Sequence, residues 1–470
     1  FDINPKPYYY YNNTVSDFIF SGKVIYMRIQ LSDHFTYSTL LRFSLPSMIM
    51  MVFTSIYGVV DGLFVSNFVG PAPFAAVNLV MPIVYFLSGP GYLLGTSGTA
   101  VVAATLGQKK RHLANGFFSS LIQTTAVAGI LVLILGQWTL QPVLQLMGAQ
   151  GTLLTESLQY GRIVLLGVPF LMLQDAFQSF FAAAEKPRLG LGIIVAAGIT
   201  NALLDALFII VLGWGLTGAA AATVLGMAVG GMLPVLYFIR PNTSLLRLGR
   251  GIYSARILVR TCLNGSSEMV NVAASSLVTF LYNYQLLKWA GPDGVAAYGV
   301  VMYLSFIFAA VYVGYAIGAS PVIAYHLGAK NREELHNLFR RSIHILTAFS
   351  LTAFCITQLF ASSLTALFVG YDQHLWDFTL QGMRWYSLAF LFSTFNYFGS
   401  AFFTALNNGL VSGLLAFVRT LVLEPLCIIL FPLFYGTTGI WAAFPIAEIC
   451  TWLITMCTFY RLGSRYGYLH

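Results

Sequence analysis

The chain has 470 residues and a formal net charge of +8, with 58% hydrophobic but only 9% charged residues; its mean hydropathy is +0.77. Soluble domains carry about 25% charged residues, so a soluble globular protein, a disordered chain and a disulfide scaffold are all excluded. Lipid has to be the solvent, with backbone polar groups satisfied inside helices.

Residues 1–26 contain PKPYYYYNNT and lack the basic start, long apolar stretch and cleavage site of a signal peptide. Met27 opens the amphipathic run MRIQLSDHFTYSTLLRFSLP and makes a natural start, so 1–26 reads as upstream translation or a dispensable part of an N-terminal tail, 1–38. Apolar runs of membrane length then follow at 40–68, 74–105, 115–137, 156–182, 189–212, 217–239, 256–289, 294–327, 338–369, 380–405, 409–434 and 438–460, twelve in all.

Alternating these runs from a cytoplasmic N-terminus collects Lys109, Lys110, Arg111, Lys186, Arg188, Arg240, Arg247, Arg250, Lys330, Arg332, Arg340, Arg341, Arg461 and Arg465 on one side. Only Arg162, Lys288 and Arg384 fall on the other. That asymmetry follows the positive-inside rule, supports the count of runs and places both termini in the cytoplasm. The basic residues lie in short loops, so their expected partner is anionic lipid and not nucleic acid. Cys262, Cys355, Cys427, Cys450 and Cys457 lie in apolar segments without a CxxC pair and read as packing residues.

Shifted by 221 residues, the chain matches itself: GPAPFAAVNLVM from Gly70 lies over GPDGVAAYGVVM from Gly291, and LGQKKR from Leu106 over LGAKNR from Leu327. A Gly-Pro turn and a Gly-x-Lys-x-Arg loop recurring at one register predict two copies of a six-helix unit, 39–240 and 256–462, joined by a basic linker, 241–255, and ending in a tail, 463–470. Six is even, so the copies enter the membrane in the same direction, as parallel repeats. Two bundles facing each other across a cleft suit an alternating-access transporter.

An acid at bilayer depth costs about 2.5 to 3.5 kcal/mol on insertion scales, so Asp61, Asp205, Glu268, Glu424 and Glu448 each call for a reason. Asp61 lies inside TSIYGVVDGLFVSNFVG, and Asn201 precedes Asp205 by one helical turn in ITNALLDALFII, so amide and carboxylate share a stripe. With Thr223 on the next helix they predict a proton or sodium site; a structural polar cluster is the bland alternative. The repeat sets Tyr282 where the first copy has Asp61, and aligning NALLDALFII with TLVLEPLCII sets Thr420 on Asn201 and Glu424 on Asp205. The full constellation is therefore expected in one half only. Arg419 is expected to pair with Glu424, and Asp175, near the loop EKPR, reads equally well as a hydrated acid without a special role. Glu268 and Glu448 are expected to face the cleft, with Tyr57, Phe64 and Tyr282 as an aromatic surface for a lipophilic cation. Pro46 is expected to hinge the first helix.

Taken together, the stretch LPSMIMMVFTSIYGVVDGLFVSNFVG, NALLD followed by GWGLTGAAAATVLG, the paired LGQKKR and LGAKNR loops and the six-plus-six repeat resemble the multidrug and toxic compound extrusion (MATE) family, from about Leu40 to Arg461. The resemblance implies an all-α polytopic protein of the bacterial plasma membrane with a V-shaped pair of lobes. It also implies an antiporter that exchanges protons or sodium ions for cationic, lipophilic drug-like molecules, with no cofactor and acting as a monomer. On matching positions the coupling site is Asp61, Asn201, Asp205 and Thr223, with Gln178 lining it. Residues 380–405 carry no acid, unlike the NorM-like branch, which favours the MepA- and DinF-like branch. The alternative in the same superfamily, a flippase or exporter of a lipid-linked or other metabolite, calls for intramembrane bases where this chain offers Arg419 against five acids. A major facilitator transporter would carry Asp-Arg-x-Gly-Arg-Arg where this loop reads GQKKRHLANG, and the seven His residues form no HExxH or other catalytic grouping.

Overall fold

The computed structural model describes residues 29–370 and 372–469; among them there are helices, turns and short connections but no strand. In chain order the helices are α1 Tyr37–Phe68, α2 Pro71–Gly107, α3 Arg111–Leu146, α4 Gly151–Leu165, α5 Val168–Ala183, α6 Pro187–Asp205, α7 Gly215–Ile239, α8 Ala255–Asn264, α9 Ser266–Gly328, α10 Arg332–Val369, α11 Gln373–Ser387, α12 Phe390–Ala405, α13 Gly409–Phe417 and α14 Glu424–Tyr466. A π-helical stretch, Ala206–Val211, continues α6, and another, Val418–Leu423, joins α13 to α14. The starts follow ordinary capping chemistry. Thr36 and Thr39 form a reciprocal cap on α1, Asn331 and Asp372 cap α10 and α11, and Pro71 and Pro187 open α2 and α6.

The repeat is written into the backbone. Gly70 and Gly291, and likewise Gly215 and Gly436, lie 221 residues apart, and all four take positive φ, which only glycine adopts without strain. Gly291 divides α9 into two spans and Gly436 divides α14. Two further spans are bent, α4 with α5 by 54° and α11 with α12 by 47°. Eight helices are long and apolar enough to cross a membrane, ten with each bent pair taken as one span. Dividing α13–α14 at Gly436 and adding 266–290, which carries Glu268, Asn271, Asn283 and Gln285 and falls short of that apolarity, completes twelve among the described residues.

The two halves meet through α1 and α2 against the part of α9 after Gly291. A side chain at Gly107 would overlap the Tyr325 carbonyl, and one at Gly328 the Ala104 carbonyl, so the repeated Leu-Gly loops close one end of the molecule backbone to backbone. Gly314 and Gly318 lie as closely against Met48 and Ser44 of α1.

Several boundaries differ from the sequence expectation. The run expected as one helix over 256–289 starts with the separate short helix α8, turning at Gly265. Part of the expected N-terminal tail is packed: Leu31 and Phe35 are fully buried. The Leu31 N–H donates to Glu185 Oε1 at 2.8 Å and the Phe35 N–H to Glu334 Oε1 at 2.9 Å, tying residues 29–36 to both halves. Residues 1–26 lie outside the described residues. The expected C-terminal tail likewise continues α14 to Tyr466 and buries Tyr468, whose hydroxyl donates to the Phe459 carbonyl at 2.9 Å. Within the linker, Leu248 N–H donates to Phe238 O and Ile252 N–H to Gly116 O, binding it to the first half.

Candidate functional site

Three helices of the first half bring polar side chains together at Asp61. α1 supplies Asp61, 5% exposed; α6 supplies Asn201 and, one turn on, the fully buried Asp205; α7 supplies Thr223. The Thr223 hydroxyl donates to the Ala219 carbonyl at 2.9 Å and lies 3.4 Å from Asp61 Oδ1. Asp61 faces the Asp205 carboxyl and the Asn201 amide directly. Both Asp205 oxygens and Asn201 Nδ2 nevertheless lack a hydrogen-bond partner of normal geometry. The helix leaves its α-form immediately after Asp205, in the π stretch Ala206–Val211; such π turns frequently occur at functional sites.

A space of about 20 Å³ is lined by Asp61, Asn201 and Thr223 together with Gly58, Tyr85, Gln174 and Gly226; the fully buried Asp205 lies outside this lining. That volume holds one water-sized particle. The glutamine of the lining is Gln174; Gln178, expected there from the resemblance, lies one turn further along α5, buried but outside the lining. Both glutamines lie on one face of α5, four residues apart, so their spacing does not tell which of the two is level with Asp61. Neither carboxylate has an ion-pair partner among the described residues.

Between the halves is a second space of about 240 Å³. Glu268 and Asn271 of α9, Tyr92 and Thr96 of α2 and Tyr397 of α12 line it. Glu268 was legible as an intramembrane acid. Tyr92, Asn271 and Tyr397 were not singled out, since single rings and amides carry no signal among 26 tyrosines. Asp175 lies on α5 next to Gln174, with Ser88 of α2 as its hydrogen-bond partner.

The structure moves three other residues away from the cleft. Tyr282 is fully buried inside the second half, stacked on Tyr298 with ring centroids 4.7 Å apart and edge-on to Tyr386, so it is a core residue. Glu448 is also buried: its Oε1 accepts from Arg419 Nε at 2.8 Å and its Oε2 from Asn396 Nδ2 at 2.6 Å. The Arg419 ion pair is thus made with Glu448 and not with Glu424. Phe64 is half-buried, packed on the core of the first half beside Phe68. The side chain of Tyr57 lies outside the described residues. The landmarks Pro187 and Gly409, and Gly215 and Gly436, are 222 and 221 residues apart. They place Leu426–Cys427 opposite Asp205, with Glu424 nearly a turn earlier. Pro46 is buried within a continuous α1, beside Ser47 and Met48, where α1 packs on α9.

Twelve spans in two matching halves, with a cavity between them and, buried in the first, a pair of acids without ion-pair partners among the described residues, define a multi-pass membrane transporter. A family model described as MatE matches residues 46–207 and 269–429, one stretch in each half, and the chain belongs to the MatE family. It is accordingly a transporter and not an enzyme. Among its relatives is the multidrug export protein MepA of Staphylococcus saprophyticus, 24% identical over 441 residues that cover 91% of this chain and 94% of the relative. The fold is shared with an outward-facing multidrug resistance MATE family transporter, at a TM-score of 0.87 and 21% identity over 94% of this chain and 98% of that one. A MATE structure in a bent conformation matches at a TM-score of 0.84 and 22% identity, covering 92% and 98%.

Proposed function

We propose that the protein exports cationic, lipophilic small molecules in exchange for protons or sodium ions, by alternating access across the bacterial plasma membrane. The observation that carries this reading is the pair of buried, uncompensated carboxylates, Asp61 and Asp205. Two such groups side by side cannot both stay charged at low cost without a proton or a cation between them. The space beside Asp61 accommodates one small ion, and each polar residue of its lining, Asp61, Asn201, Thr223 and Gln174, offers an oxygen, with Asp205 outside the lining. Oxygen donors suit a proton or a hard cation.

The 240 Å³ space between the halves is then the substrate site, with Glu268 supplying charge and Tyr92 and Tyr397 supplying ring faces. A lipid-linked anion would need a free base there. The buried Arg419 is held by Glu448 and covers the Tyr397 ring at 3.6 Å, which favours a cationic substrate over the flippase reading. In this scheme the lobes 39–240 and 256–462 move about the closed end, the linker 241–255 joins them on the cytoplasmic side, both termini are cytoplasmic, and one chain suffices.

The test is Asp61→Asn, which keeps shape and loses the ability to titrate. Expressed in an efflux-deficient host at wild-type levels, it should abolish resistance to lipophilic cations. Resistance near that of the wild type would remove Asp61 from the mechanism. Asp205→Ala should change the pH or sodium dependence of transport in proteoliposomes as well as its maximal rate; reduced expression with unchanged ion dependence would instead mark a structural role.

A further inference from the structure

Helix α8 belongs to no span. Its sequence ARILVRTCLN sets Arg256 and Arg260 four residues apart, on one exposed face. A groove of about 690 Å³ runs between α8 and the start of α13. Val259 and Leu263 form one wall and Leu410 and Leu414 the other, with 57%, 65%, 75% and 54% of their surface open. Both arginines line the groove, and neither forms an ion pair among the described residues.

Two unsatisfied acceptors complete it. Asn264 is 2% exposed; its Nδ2 donates to the Thr404 carbonyl at 2.9 Å while its Oδ1 has no partner. Asn407, held at a φ of 56°, also lines the groove and also has an unpartnered Oδ1.

We infer that this groove binds an anionic phospholipid with a hydroxylated head group, of the phosphatidylglycerol type. An acyl chain lies between the leucine walls, the phosphate meets the Arg256 and Arg260 guanidinium groups, and the glycerol hydroxyls donate to Asn264 and Asn407, whose amide oxygens, buried in this structure, open to the groove when it is filled. Charge complementarity selects this occupant. An amphipathic helix with arginines on its polar face belongs at the membrane interface, and guanidinium groups match phosphate oxygens in pairs. A neutral lipid would leave both arginines uncompensated, and a soluble anion would leave the four apolar walls bare. The site also touches the moving parts. Gly265, directly after α8, packs so closely on Leu93 and Ser97 of α2 that no side chain fits, and Gly409 packs as closely on Asn264. A bound lipid therefore braces α8 and α13 where α9 begins.

The experiment is native mass spectrometry of the purified full-length chain in detergent, with dioleoyl-phosphatidylglycerol, dioleoyl-phosphatidate or dioleoyl-phosphatidylcholine added at equal concentration. The expected order of retention is phosphatidylglycerol, then phosphatidate, then phosphatidylcholine. R256Q/R260Q should weaken phosphatidylglycerol binding about 25-fold, roughly 5-fold per arginine, the equivalent of about 1 kcal/mol each. R461Q/R465Q, which removes two bases outside the groove, should leave it unchanged. If the double variant fails to fold, R256Q alone should still show the 5-fold loss. Equal binding by wild type and R256Q/R260Q, or phosphatidylcholine held as tightly as phosphatidylglycerol, would overturn the site. Equal retention of phosphatidate would overturn the role of the two asparagines. Displacement of phosphatidylglycerol by ethidium would make the groove a substrate vestibule and overturn the lipid assignment.

Discussion

Glu448→Gln is expected to destabilise the second half strongly. Arg419 and Glu448 are 6% and 1% exposed, and their Nε–Oε1 contact is 2.8 Å. At an effective dielectric of about 20 a contact of this kind is worth about 4 to 6 kcal/mol, against a desolvation cost of several kcal/mol for each ion. The pair as a whole therefore contributes little net stability, whereas losing one member strands the other. Removing the Glu448 charge leaves the guanidinium with the Tyr397 ring, the field of Glu424 and at most a neutral amide oxygen, and it weakens the acceptor for Asn396, which also accepts from the Thr455 hydroxyl at 3.1 Å. The expected cost is about 3 to 5 kcal/mol for E448Q or R419Q, but under about 2 kcal/mol for R419M/E448M, where apolar groups of similar volume replace the pair. Unfolding of a protein this size in detergent is scarcely reversible, so the assay is the rate of thermal inactivation across the four proteins. The reasoning fails if E448Q inactivates at the wild-type rate, or if R419M/E448M is no more stable than the worse single variant. A double variant that is stable yet loses one class of substrate selectively would return Glu448 to the cleft.

Gln174→Ala is expected to shift the ion dependence of transport, while Gln178→Ala leaves it unchanged; the reverse result in proteoliposomes would restore the residue expected from the family pattern. Pro46→Ala returns a backbone donor to α1 and should slow turnover while substrate binding remains measurable; unchanged rate and pH profile would exclude a hinge there. Glu334→Gln weakens the charge-assisted bonds to His34, at 2.6 Å, and to the Phe35 N–H. It should cost about 2 kcal/mol and expose residues 29–36 to limited proteolysis, and an unchanged cleavage pattern would count against the clasp.

The twelve spans were legible because membrane-length apolar runs leave little choice, and the repeat because the Gly-Pro turns at Gly70 and Gly291 and the LGQKKR and LGAKNR loops recur at one register; the matching pair Gly215 and Gly436 emerged from the backbone. The bends were not. Ser387-Leu388-Ala389-Phe390 reads as an uninterrupted apolar stretch, and the change of direction there comes from packing. Asp61 and Asp205 stood out because an acid in lipid is costly; Gln174 and Gln178 share one face of α5 and differ by one turn along it, and which turn is level with Asp61 is a tertiary fact. Arg419 illustrates the same limit. Sequence distance favoured Glu424, five residues on, while the partner chosen by folding is 29 residues away on the next span.

The asymmetry between the halves narrows where ion-driven change can begin. In the second half, the register position of Asp61 is held by Tyr282, stacked and fully buried, and the strongest charge there, Arg419, is already compensated by Glu448. In the first half, both Asp205 oxygens lack a partner and Asp61 lines a small space, so on the proposed mechanism proton or cation arrival changes the local electrostatics there. Asp61 is carried by α1, the helix whose other end packs on α9 of the second half beside Pro46. The fifteen residues between Pro46 and Asp61 span roughly 22 Å at 1.5 Å per residue. On the proposed mechanism, α1 and α2 both touch the ion site and the seam between the lobes, and α1 is the one of the two that carries an acid of the site. A rearrangement around Asp61 therefore reaches the seam through one helix, without requiring the second half to change its own packing.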